Sequence, residues 1–151
     1  MHAYEIESWG NGAPALQIDL PEGYEIQRQQ GPDFDVHYIS PMTANDSLMD
    51  ARMGIYIGHH PSFSEPNRDT IAKVANVGKQ RVKWSCWDTS QEGKKVYDCE
   101  TLVAGFYDHV RVADGRDGGV RGLLLHIFIG GIDADKVNLL REATATLRLK
   151  Q

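Results

Sequence analysis

Hydrophobic and polar residues alternate along most of this chain, the pattern of half-buried β-strands, and turn residues interrupt the alternation at short intervals. Tyr4 to Trp9 forms a first short run. Gly10-Asn11-Gly12 separates it from a second, in which Leu16, Ile18 and Leu20 alternate with Gln17 and Asp19. Pro21-Glu22-Gly23 turns the chain, Tyr24 to Arg28 is extended again, and Gly31-Pro32 leads to a strand that ends at Pro41. In that strand Phe34, Val36 and Tyr38 alternate with Asp35 and His37. A polar segment, Thr43 to Asp50, precedes Ala51 to His60, where Met53, Ile55 and Ile57 share one face and Gly54, Tyr56 and Gly58 the other. Glycine on the second face implies that another part of the molecule approaches it closely.

Two stretches change the period. Behind the loop Pro61 to Pro66, Ile71, Val74 and Ala75 recur at helical spacing and Gly78 supplies a stop, which predicts a mid-chain helix over about 65–77. Near the end, Asp133 is a good N-cap, and Val137, Leu140, Thr144 and Leu147 form one stripe of a C-terminal helix over about 133–148. Between them lies a long hairpin, Gln80 to Ser90 and Lys94 to His109, turning at Gln91-Glu92-Gly93-Lys94. The apolar side changes parity near Gly105, which predicts a bulge there. A further turn, Asp114 to Gly119, precedes a strand with Leu123, Leu125, Ile127 and Ile129 on one face and Leu124, His126 and Phe128 on the other. Apolar on both faces, that strand belongs at the centre of a sheet. Without βαβ alternation, the order reads as a single α+β domain over 1–151: an antiparallel sheet of six to eight strands with the two helices packed on it.

The hairpin has a covalent consequence. With Glu92-Gly93 as the central turn residues, Gln91 and Lys94 close it, and counting outward places Cys86 opposite Cys99 at a non-hydrogen-bonded pair. Cα atoms there lie about 4.5 Å apart, which permits a disulfide. Two reduced thiols meeting in a core are the other outcome. Trp84, Tyr97 and Thr101 share the cysteine face with Val82 and Val103, whereas Lys83, Ser85, Asp98 and Glu100 lie opposite, so the cysteines face the core. Trp87 falls on the charged face, where it is a candidate binding residue.

A formal net charge of −5, with no run of Lys or Arg longer than two, leaves no electrostatic footprint for nucleic acid or anionic lipid. No stretch approaches the roughly 20 apolar residues of a membrane span. Met1 to Trp9 carries Glu5 and Glu7 and lacks the apolar centre of a signal peptide. The protein is therefore cytoplasmic if Met1 is the native start and extracytoplasmic if a signal has been removed.

Candidate chemistry is sparse. His59 and His60 are adjacent and point apart in a strand, though a loop could bring them together. His109 and His126 can be brought to one face by the turn at 114–119, with Tyr107 nearby, but a metal site needs a third ligand, so no metal or other cofactor is predicted. Asp114 to Gly119 is too short for a calcium loop, whose twelfth position would be Leu125. Neither a Gly-x-Ser-x-Gly nor a Gly-x-Gly-x-x-Gly motif is present.

The run Leu20-Pro21-Glu22-Gly23-Tyr24 after an opening strand, the mid-chain helix, the long meander, and Gly130-Gly131-Ile132-Asp133 before a closing helix together resemble the PsbP-like superfamily. That group includes photosystem extrinsic proteins, a nuclear-import Ran-binding family and bacterial envelope lipoproteins. The resemblance implies a non-enzymatic accessory or protein-interaction domain whose partner is another protein. Two alternatives stand beside it. One is a small hydrolase or metal-dependent enzyme using a cleft of His109, His126 and Tyr107; the other is a binding module for a small apolar ligand under the mid-chain helix.

Overall fold

The computed structural model describes residues 1–7, 14–42, 49–63, 70–108 and 122–150. In chain order the strands are β1 (His2–Ile6), β2 (Leu16–Leu20), β3 (Tyr24–Gln30), β4 (Asp35–Pro41), β5 (Arg52–Gly58), β6 (Ile71–Val77), β7 (Gln80–Gln91), β8 (Lys94–Val103), β9 (Leu124–Gly131) and β10 (Arg148–Leu149). Among the described residues one α-helix, α1 (Ala134–Ala143), joins β9 to the last turn. Seven strands form an antiparallel sheet in the order β3-β4-β5-β9-β8-β7-β6, and β1-β2-β10 form a small second sheet. This is an α+β arrangement dominated by antiparallel sheet, and β9, apolar on both faces, occupies the middle position.

The hairpin folds as its turn chemistry demands. Glu92 and Gly93 both adopt positive φ, 52° and 75°, the left-handed pair of a type I′ turn, whose twist matches that of the flanking strands. Gln91 then pairs with Lys94 and Cys86 with Cys99. The two cysteines form a disulfide with Cα atoms 4.1 Å apart, on the core face with Trp84 and Val103.

Three expectations are corrected. Residues 71–77 are the edge strand β6, paired with β7 from Ile71 opposite Cys86 to Val77 opposite Gln80; the first part of the predicted helix, 64–69, lies outside the described residues. The spacing of Ile71, Val74 and Ala75 is not a buried stripe, since Ile71 is 66% and Val74 56% exposed. Pairing with β7 decides the conformation of this β-branched stretch. The C-terminal helix is also shorter than 133–148. Asp133 caps it, accepting from the backbone N–H groups of Asp135 and Lys136, but it stops at Ala143. A 3-10 turn, Thr144–Thr146, follows, and β10 then pairs with β2. Finally, β8 ends at Val103, so Gly105 with φ 79° sits in a turn closed by the Asp108 N–H donating to its carbonyl, not in a strand bulge.

The core lies between the inner face of the large sheet and a second layer made of α1 and the small sheet. Ile39, Met53, Ile55, Ile57, Leu125 and Ile127 face inward, against Leu16, Ile18 and Leu20 of β2 and Val137 and Leu140 of α1. The register runs Asp35, Ile57, Leu125, Val103 across four strands, so these four share the inner face. Among the described residues no helix is long and apolar enough to cross a membrane.

Candidate functional site

The same register sends the alternate residues to the outer face, and there the strands carry rings. Tyr38 is paired with Gly54, Gly54 with Phe128, and Tyr56 with His126. A Cβ at Gly54 would run into the Phe128 ring, so glycine is what lets that ring lie flat across the sheet. Phe34 stacks on Tyr56 with centroids 5.6 Å apart, and Tyr38 meets Phe128 edge-on at 6.4 Å. Phe63, from the segment after β5, approaches the His126 ring to 4.7 Å.

Two lobes of a groove open on this face and meet at Ser62, His126 and Phe128. One, about 310 Å³, is walled by Arg52, Trp87, Asp98 and Glu100; the other, about 370 Å³, by Asp33, Tyr38, Tyr56 and His60. At their junction His126 Nε2 lies 3.3 Å from Glu100 Oε2, and both side chains are under a tenth exposed. Burial pushes the His126 pKa below its ordinary value, against the hydrogen bond and charge of Glu100, which pull it up. A neutral imidazole donating from Nε2 to Glu100 leaves Nδ1 as its accepting nitrogen.

The four sequence candidates are thus split. Trp87 and His126 both line the first lobe. Tyr107 belongs to the core on the other side of the sheet, where burial and the nearby Asp35 carboxylate raise its pKa. His109 lies outside the described residues. The histidine pair His59 and His60 lies with ring centroids 6.5 Å apart, and among the described residues no group of three or more His, Cys, Asp or Glu could hold a metal ion.

Sequence reasoning missed Glu100, assigned to a charged face but in fact 7% exposed, and the inward polar group of β4. Asp35 and His37 point into the core beside Ile57 and Ile55, while Tyr38 faces out. Arg28 on the neighbouring strand compensates, its Nη2 donating to Asp35 Oδ2 at 2.9 Å. Among the described residues, Asp35 Oδ1 and His37 Nε2 have no hydrogen-bond partner. The aromatic alternation of Phe34, Val36 and Tyr38 was the available signal: it marks the groove wall, not the core.

No family model matches the chain, and no curated protein matches it. Among solved structures, a crystal structure from Bacteroides thetaiotaomicron VPI-5482 at 1.50 Å resolution is similar, with a TM-score of 0.50 and 12% identity. The similarity covers 90% of this chain and 45% of that one, so the chain spans less than half the length of its structural neighbour. At that identity the likeness is one of fold.

Proposed function

We propose that this chain is a non-enzymatic protein-interaction domain that receives a cationic side chain of a partner protein in the outer-face groove. The observation that carries this reading is a sheet face whose aromatic rings, Tyr38, Tyr56, Phe128 and Trp87, stand beside Asp33, Asp98 and Glu100, with Arg52 as the one opposing charge among the named wall residues. Ring faces and carboxylates together attract a guanidinium or ammonium, the former through the ring quadrupole and the latter through charge. An interaction role agrees with the accessory functions implied by the PsbP-like resemblance, which we put forward on the same footing. The disulfide suits an oxidising, extracytoplasmic compartment.

The reading is tested by titrating the protein with short peptides carrying Arg between leucines, following the indole fluorescence. A saturable change is expected, lost in a Trp87→Phe control and weakened about tenfold, or 1.4 kcal/mol, by Phe128→Ala. Equal response to Arg and Asp peptides would refute it.

One observation favours a hydrolase as a second reading: His126, oriented by Glu100, shares both lobes with Ser62. A base held by a carboxylate and a hydroxyl lining one groove are groups that nucleophilic catalysis uses. Turnover of activated esters that disappears in His126→Gln would support it; its absence leaves the binding role. The apolar-ligand reading set its site under a mid-chain helix, and residues 71–77 of that stretch form β6 instead.

A further inference from the structure

On the core side of the hairpin, the last turn of α1 places Arg141 over the disulfide. Its Nη1 lies 3.7 Å from Cys86 Sγ and 3.6 Å from Cys99 Sγ. Among the described residues no carboxylate pairs with this guanidinium. A disulfide sulfur is a weak, neutral acceptor, so in the oxidised protein the charge is poorly matched. A thiolate at the same position would give it a full partner and a charge-assisted hydrogen bond. Arg141 therefore favours the reduced state over the oxidised one.

Both cysteines are buried, but a cavity lies against them. A cavity of about 250 Å³ opens between α1 and the β6 edge of the sheet, and both cysteines and Arg141 line it together with Lys73, Tyr97 and Asn138. Asp88, on the cysteine face, lines the same cavity and opposes a thiolate, but Arg141 is the charged group that reaches the sulfur atoms. Reduction does not require unfolding, because six further residue pairs from Ser85–Glu100 to Gln91–Lys94 hold β7 to β8, and β6 and β9 flank them.

We propose that Cys86–Cys99 is a thiol–disulfide exchange site whose co-reactant is a dithiol, with Arg141 positioned to hold the departing sulfur. A thiolate of the dithiol attacks one cysteine sulfur, forming a mixed disulfide as the Cys86–Cys99 bond breaks. The electron pair of that bond leaves on the other cysteine, whose thiolate Arg141 stabilises. The second thiol of the reductant, once deprotonated, displaces the first cysteine. The protein gains two electrons, two protons balance its two thiols, and the dithiol becomes a disulfide.

The full chain, equilibrated without denaturant in mixtures of reduced and oxidised dithiothreitol, is trapped by alkylation and weighed. Wild type is expected to exchange fully in the folded state. Arg141→Met is expected to shift the equilibrium toward the disulfide about tenfold, or about 30 mV for this two-electron couple, while Arg141→Lys keeps most of the wild-type value. An equilibrium unchanged in Arg141→Met, or a wild-type bond that yields only in urea, overturns the proposal. Should Arg141→Met fail to fold, the ultraviolet thiolate titration of reduced wild type decides. A thiol titrating below the ordinary value of about 8.5 supports the site, and none below it overturns it.

Discussion

The two faces of the seven-stranded sheet are apolar for different reasons. Inward, Ile55, Ile57, Leu125 and Ile127 are sealed by α1 and the small sheet. Outward, Tyr38, Tyr56 and Phe128 lie across the strands beside a groove, and Asp33, Phe34, His60, Ser62 and Phe63, outside the strands, also reach that face. Each face also hides a histidine near a carboxylate: His37 with Asp35 inside, His126 with Glu100 outside. The inner group is shut away, whereas the outer one lines the groove. A stretch of alternating residues that is apolar on both sides is therefore ambiguous: one side builds stability and the other builds a surface for contact.

That contrast is broken or sharpened first by truncating adjacent residues of β9. Ile127→Ala removes a fully buried side chain from a core that collapses only partly, and should cost about 4 kcal/mol in urea unfolding. Phe128→Ala removes a half-exposed ring into an open groove and should cost roughly 1–2 kcal/mol, less than the usual price of a buried Phe. Equal losses would mean that the outer rings are core after all. Next in size is the disulfide. Cys86→Ala with Cys99→Ala opens a link spanning 13 positions and should lower stability by about 2–3 kcal/mol, because the I′ turn already restrains the ends of the loop. The groove residues should keep their peptide response in that variant, since the bond lies on the other face.

What could be read from the chain follows from how local each determinant is. The I′ turn at Glu92-Gly93 sets the register that brings Cys86 to Cys99, and Asp133 caps its own helix; both depend on neighbours a few residues away. The position of β9 was legible because Leu124, His126 and Phe128 continue the apolar pattern on its second face. Residues 71–77 were not legible, because their conformation is decided by a partner strand and not by their own spacing. Nor was Glu100, whose approach to His126 depends on the register of β8 with β9 across 26 residues. Arg141 sits on an exposed-looking helix position, and only the docking of α1 shows that it points at sulfur.

The smallest expected effect separates the two histidines. Burial lowers the pKa of both; at His126 the bond and charge of Glu100 oppose the shift, while at His37 the charge of Asp35 opposes it and that of Arg28 adds to it. As pH falls through the ordinary histidine value of about 6.5, the unfolded chain takes up protons that the folded chain still refuses. The unfolded state then binds more protons, so stability declines from that pH down to the folded pKa values and levels off below them. Urea midpoints measured between about pH 7.5 and 5.5 should therefore fall, above the range where carboxylates dominate. His37→Gln should remove more of that slope than His126→Gln. A protonated His126 gains Glu100 as an ion-pair partner, whereas a protonated His37 meets an Asp35 already held by Arg28. If the two variants removed equal shares, the sealed and the groove-lining histidines would be electrostatically alike, and the distinction drawn between the faces would not extend to their polar groups.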